Sequence, residues 1–249
     1  MLKRVQQKIL RKTKENYDIV AADYAGTRDR SWPSGKSILP ELKEKLKAQD
    51  NILDLGAGSG ILVQELAEFG MPLNYTGYDV SEKLVAIAKN KFGSKYSQIQ
   101  CTWQVGSALK LPFADNTFDH CAAVAVLHHI PSVTLRREVL REIYRVCKPG
   151  AFVYITNWYL WTSVAFKKYN LYRQLLRIFE GYDIGDFYIP WRDNKGKIKA
   201  RRYVHSFWSF EVDLLCRTTG FSVLTPTHLE KAPGQTLAQR IVTIAQKPN

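Results

Sequence analysis

Residues 51–69 read NILDLGAGSGILVQELAEF, and this stretch restricts the possible folds more than any other. A short apolar run ends at Gly56-Ala57-Gly58-Ser59-Gly60. Ile61, Leu62, Leu66 and Phe69 then recur at helical spacing. Strand, glycine turn and helix follow with no linker between them. The next segment repeats the order: NYTGYDVS is a strand ending at Asp79, and EKLVAIAKNKF is a helix. This alternation predicts an α/β fold, a doubly wound Rossmann-like sheet with helices on both faces. Ligands of such sheets bind beyond the carboxyl ends of the strands, where the glycine turn and Asp79 fall.

The turn itself selects among ligands. A dinucleotide fingerprint needs G-x-G-x-x-G, but residue 61 is Ile, so the third glycine comes one place early. Asp54 opens the turn, and a carboxylate there suits an amino group better than a pyrophosphate. Asp79 ends the second strand, where an acid accepts hydrogen bonds from ribose hydroxyls. The two acids, the glycines and the helices together resemble the class I S-adenosylmethionine-dependent methyltransferases. The resemblance implies a cofactor, S-adenosyl-L-methionine, held by Asp54, Gly56, Ala57, Gly58, Gly60, Asp79, Val80, Ser107 and Ala108. An Asp often stands in that family where Ser107 stands here; Ser accepts a hydrogen bond there without charge. The resemblance also implies a seven-stranded mixed sheet of order 3-2-1-4-5-7-6. CTWQVGSALK and FDHCAAVAVLHHI correspond to its third and fourth strands, and GAFVYIT to its fifth. SFEVDLLCRTTGF is a helix closed by Gly220, and FSVLTPTHL with QRIVTIAQK makes a final antiparallel pair.

Length fits one domain spanning 1–249, with a basic helical extension at 1–48 and an insertion at 157–205 after the fifth strand. No apolar run reaches the roughly 18 residues of a membrane span. Cys101, Cys121, Cys147 and Cys216 are too scattered for close zinc-binding pairs, which points to reduced thiols, no metal and a cytoplasmic protein. Charge is concentrated. The chain has 36 Lys and Arg against 23 Asp and Glu. Residues 1–14 hold six bases and no acid, and residues 160–205 hold ten bases and four acids. A near-neutral core with two basic segments suits a polyanion such as nucleic acid, or simply a solvated surface. Val5, Ile9 and Leu10 allow an amphipathic N-terminal helix, solvated by default.

Residues 188–205, YIPWRDNKGKIKARRYVH, hold six Lys or Arg, one acid, two Tyr and one Trp. They show no helix or strand period, so Lys195, Lys197, Lys199 and Arg201 are expected on a mobile basic loop. Three accessory motifs go with this stretch: Thr27-Arg28 with Trp32-Pro33, His128-His129 after the fourth strand, and Pro190-Trp191-Arg192 with Arg202-Tyr203-Val204-His205. Together they resemble the eukaryotic wobble-uridine tRNA carboxyl methyltransferases, including the domain fused to an AlkB-like hydroxylase. Val204 departs from that pattern, where Tyr is frequent. The resemblance implies methyl-ester formation on the carboxylate of 5-carboxymethyluridine in tRNA. A carboxylate is ionised at neutral pH and needs no general base, so no residue is assigned as catalytic with certainty. Arg28, His128, Arg202 and His205 are the candidates for orienting the substrate. Trp32 and Trp191 are candidates for stacking a base, and His129, Arg192 and Tyr203 for further contacts. Arg28 is also a candidate for the cofactor's carboxylate. A small zinc-binding activator, as in the relatives, is expected on the apolar edge strand 99–105 near Trp103. Two other readings stay open: a methyltransferase of small carboxylates or hydroxyls, and a non-catalytic tRNA-binding module or regulatory subunit with a decayed cofactor site.

Overall fold

The computed structural model describes residues 1–28, 38–193, 195–231 and 240–249, with the side chains of Arg28 and Pro226 outside that description. Its main sheet contains β1 (Asn51–Leu55), β2 (Leu73–Asp79), β3 (Ile99–Val105), β4 (Phe118–Val124), β5 (Cys147–Trp158), β8 (Ser222–Glu230) and β9 (Arg240–Gln246). The order is β3-β2-β1-β4-β5-β9-β8. Strands β1 to β5 run parallel, and β9 pairs antiparallel with both β5 and β8. Numbered within this sheet alone, the order is 3-2-1-4-5-7-6.

Strand periodicity divides the core between two faces. On β1, Leu53 and Leu55 join Val139, Leu140 and Ile143 of α5 (Val133–Val146) and Val212 and Leu215 of α8 (Ser209–Thr218). Ile52 points the other way, to Leu62 and Leu66 of α3 (Ile61–Ala67) and Phe92 of α4 (Glu82–Phe92). The same face holds Leu42 of α2 (Leu39–Lys45). Val139, Leu140 and Ile143 have no exposed surface, so each contributes about 1.5–3 kcal/mol of burial. Ser132 and Ser81 start α5 and α4 by accepting hydrogen bonds from Leu135 and Leu84 N–H.

The insertion has its own small core of Leu160, Leu171, Phe187, Ile189 and Val204. It carries α6 (Ser163–Tyr169), α7 (Leu171–Gln174) and an antiparallel pair, β6 (Asp186–Arg192) with β7 (Ile198–His205). The stretch expected as a loop is therefore mostly a hairpin, and Lys199 and Arg201 lie on a strand. The period of two holds over residues 199–202 once an inward position is allowed to be arginine, and from Arg202 to His205 both faces are buried. Ala200, Arg202 and Val204 are buried, while Lys199 and Arg201 are exposed. Asp193 closes the turn by accepting the N–H groups of Lys195 and Lys197 at 2.9 Å each.

Helix α1 (Lys3–Arg28) is not a solvated appendage. Asp18 accepts from the Ser81 hydroxyl at 2.6 Å, and Asn16 donates to the Arg201 carbonyl at 2.7 Å. Lys199 pairs with Asp23 at 2.8 Å. The helix thus lies across the carboxyl end of the sheet, clamped between α4 and β7.

Strand β3 is the sheet's edge, as expected, but Trp103 is not an exposed docking residue. Trp103 pairs in register with Gly77, and a Cβ on Gly77 would come 2.4 Å from the indole. The ring lies over that glycine and beside Tyr75, with centroids 5.2 Å apart. Of this strand's side chains, Gln100, Thr102 and Val105 are exposed.

Candidate active site

The glycine turn, the ends of β2 to β4 and helix α1 enclose a cavity of about 840 Å³, counting its open mouth. Gly56, Gly58, Asp79, Val80, Ser107 and Ala108 line it from the sheet side. Leu10, Thr13, Tyr17 and Tyr24 of α1 line it from above, and no sequence pattern pointed to these four. A smaller adjoining space is lined by Asp54, Gly56, Ala57, Ser59 and Tyr24.

Gly56 has a φ of 73°, and a Cβ there would come 2.4 Å from Val126. Only glycine keeps this wall open. Gly60 does something different. A Cβ on it would strike Trp103, Ala88 and Phe92, so it serves helix–strand packing rather than the cavity wall. Ala125 has a φ of 60°, a left-handed turn after β4 that delivers Val126 and His129 to the cavity.

Asp79 accepts Gly58 N–H at 2.9 Å and Ser81 N–H at 2.8 Å, one on each oxygen. Each oxygen keeps a lone pair for another donor. Burial raises its pKa, and the N–H groups of Ser81 and Gly58 oppose that shift. Burial pushes Asp54 up to about 7, against the bond from the Tyr75 hydroxyl at 2.6 Å. A buried carboxylate with that pKa calls for a cationic partner to hold its charge. Ser107 lines the cavity, but its Oγ already accepts Leu109 N–H at 3.3 Å.

Beside this cavity lies a stack of buried donors. The Arg202 guanidinium sits 4.9 Å from the Trp158 ring and 4.8 Å from the Trp191 ring. Trp191 packs on Tyr24 at 5.8 Å, and Trp158 stacks on His128 at 5.4 Å. Arg202 is only 5% exposed, yet its Nε and Nη1 have no partner among the described residues. The same holds for Trp191 Nε1, Asn157 Nδ2 and His128 Nε2. Neither Asn157 nor Trp158 was expected from sequence; their signal was only their place at the end of the fifth strand. Buried donors left unpaired are costly, so this group is a candidate place for acceptors from water or a ligand.

The other expected substrate residues divide. His129 lines the cavity but is fully engaged. Its Nδ1 lies 2.7 Å from the Tyr203 carbonyl, so that nitrogen carries the proton. Its Nε2 accepts from the Tyr17 hydroxyl at 2.7 Å. Burial lowers its pKa to about 3, and it stays neutral. Asp186 accepts from the Tyr203 hydroxyl at 2.6 Å and faces His205 Nδ1 at 2.7 Å, while Arg136 donates to Tyr203 at 3.1 Å. Tyr203 thereby ties the hairpin to α5, while His205 Nε2 lies 3.7 Å from Glu211 and has no hydrogen-bond partner among the described residues. Arg192 is exposed and donates to the Gly196 carbonyl at 2.7 Å, bracing the hairpin turn. Trp32 and the Arg28 side chain lie outside the described residues. No cluster of metal-ligating side chains is found among the described residues, and no described helix is long and apolar enough to cross a membrane.

Comparison with known proteins fits this geometry. The methyltransferase-domain family matches residues 53–155. A tRNA (carboxymethyluridine(34)-5-O)-methyltransferase of Arabidopsis thaliana is 32% identical over 142 residues, 57% of this chain but only 31% of that protein. A ubiquinone/menaquinone biosynthesis C-methyltransferase of Geotalea daltonii is 30% identical over 65% of this chain and 69% of its own length. A crystal structure of a SAM-dependent methyltransferase from Methanosarcina mazei superposes with a TM-score of 0.68 at 25% identity, covering 84% of this chain and 97% of that one. A Haloferax volcanii putative methyltransferase, solved in complex with the Trm112 methyltransferase activator, has the same fold at 18% identity and a TM-score of 0.67, over 95% and 98% of the two chains. The chain belongs to the class I S-adenosylmethionine-dependent methyltransferases. S-adenosylmethionine is its cofactor, and the cavity accommodates it chemically. Asp79 offers acceptors for hydroxyls, Asp54 an acid for an ammonium group, and Gly56 the close approach.

Proposed function

We propose that this methyltransferase esterifies a carboxylate carried on the wobble uridine of tRNA. The donor stack around Arg202 carries the reading. A carboxylate presents acceptors only, and the stack presents unpaired donors around one buried cation. Bound S-adenosylmethionine supplies an electrophilic methyl group. The protein's part is to hold and shield the acceptor. Arg202 neutralises the carboxylate without taking its proton, because the group is already ionised. His128 is no base: burial holds its pKa well below the ordinary value, so it stays neutral beside Arg202. Trp158, Trp191 and Tyr24 wall the place off from water, which strengthens the ion pairing. Helix α1 and the hairpin, which carry the two basic segments, pack against each other beside it, and a polyanion could lie along them. The carboxymethyluridine relative supports the same acceptor, although this chain spans under a third of it. An activator protein on the exposed backbone of β3 completes the proposal, with the activator-bound neighbour as its support.

The test uses methyl-labelled S-adenosylmethionine and bulk tRNA from cells lacking the modification. Mild alkali after transfer should release the label as volatile methanol. Label that stays on the RNA would refute ester formation. Transfer to small acids but never to tRNA would keep the chemistry and replace the substrate.

A further inference from the structure

We infer that Asn157 makes the site selective for an ionised acid over the corresponding neutral amide. This rests on the proposed carboxylate acceptor and adds a residue that reads its chemical state. Asn157 stands near the end of β5 and is 1% exposed. Its Oδ1 accepts the backbone N–H of His128 at 3.1 Å, and the His128 Nδ1 lies 3.3 Å from the same oxygen. A backbone N–H can only donate, so the amide cannot turn over. Its Nδ2 is therefore fixed on the side away from the His128 N–H, buried and with no partner among the described residues.

The neighbours make this orientation matter. Trp158 follows directly and stacks between His128 and the Arg202 guanidinium. The fixed donors there are Asn157 Nδ2, Arg202 Nε and Nη1, and Trp191 Nε1. An ionised acid has two acceptor oxygens to offer them. An amide replaces one oxygen with an NH₂ group, which would meet a fixed N–H or the guanidinium. Sites built on fixed hydrogen bonds reject a mismatched analogue far more strongly than apolar pockets do. A lone arginine would favour the anion by charge alone. The locked amide adds direction, since it cannot rotate to offer its oxygen to a neutral analogue.

The experiment compares wild type with Asn157→Asp, on tRNA bearing a carboxymethyl group, with carbamoylmethyl-bearing tRNA as competitor. Asp keeps an oxygen for the His128 N–H and turns the second one toward the substrate. Esterification should fall about a hundredfold, while the amide-bearing tRNA becomes a better competitor. S-adenosylmethionine affinity, measured by calorimetry, should not change, which reports an intact fold. Should Asn157→Asp fail to fold, Asn157→Ser decides: its hydroxyl can still accept the His128 N–H but the fixed Nδ2 donor is gone, so the preference for acid over amide should shrink. In wild type, with S-adenosylhomocysteine in place of the methyl donor, the amide-bearing tRNA must bind at least about thirtyfold less well than the acid-bearing tRNA. Equal binding of acid and amide overturns the inference, as does an Asn157→Asp enzyme of unchanged activity. If wild type esterifies no tRNA carboxylate, the reading beneath fails first, and the loss is visible without any variant.

Discussion

Asp54 is the residue whose environment makes the sharpest demand. Its carboxyl is buried, and its pKa rises from 3.8 to about 7. A raised folded-state value means the native chain holds this proton more tightly than the unfolded chain does. The group's stabilising contribution is therefore present below pH 4 and is lost as pH rises from about 4 to about 7. Cofactor binding should show the opposite sign. If Asp54 receives the cofactor's ammonium group, only the ionised acid binds well. Affinity for S-adenosylmethionine should then fall about tenfold per pH unit below 7 and level off above it. Calorimetry between pH 5.5 and 8.5 measures this, and Asp54→Asn should bind weakly with a flat profile. An unchanged wild-type affinity down the series would remove Asp54 from the ammonium site. Arg202 makes a comparable demand. Its guanidinium is held between the Trp158 and Trp191 rings, and its two unpaired nitrogens are left to meet an acceptor.

At the scale of elements, α1 is the part that turns a sheet edge into an enclosed site. Four of its residues line the cavity, and Asp18 is a chief anchor, accepting from both the Ser81 hydroxyl and Lys83 N–H. Asp18→Ala removes both bonds and should weaken cofactor binding about five- to thirtyfold, the equivalent of roughly 1–2 kcal/mol in lost hydrogen bonds. Limited proteolysis should then cut α1 sooner, with the Ser81 cap of α4 still in place. Wild-type affinity and cleavage would show that α1 stays closed without this anchor. This element also marks where sequence reading stopped. Asp54, Gly56 and Asp79 were legible because the glycine turn and the end of the next parallel strand place them by local geometry. The Tyr17 and Tyr24 contacts were not, because a 26-residue helix does not reveal which of its faces meets a distant sheet. The hairpin was hidden for a related reason. Arg202 occupies an inward position, and a charged residue there reads as exposed. Trp103 is half-buried over Gly77 on the neighbouring strand, a packing role that an edge position does not reveal in sequence.

At the scale of the molecule, the fold joins two basic segments that lie far apart in sequence. Residues 1–14 and 160–205 together hold sixteen bases against four acids. The Asn16–Arg201 and Asp23–Lys199 contacts set α1 directly against β7. A near-neutral core then carries two basic segments on elements that pack against each other. Affinity for a polyanion should depend on those segments and on salt, whereas cofactor affinity should depend on neither. Lys195 and Lys197 are exposed at the hairpin turn, away from the cofactor cavity. Replacing both with Ala should weaken tRNA binding and flatten the plot of log affinity against log salt. Each lost phosphate contact should lower the slope by about 0.7–0.9. Esterification of a free carboxymethyl nucleoside should hardly change, because the donor stack around Arg202 is untouched. A double variant with an unaltered salt slope would mean that the hairpin turn does not touch phosphate. The basic charge would then have to act through α1, and the parallel substitution of Lys8 and Arg11 would locate it.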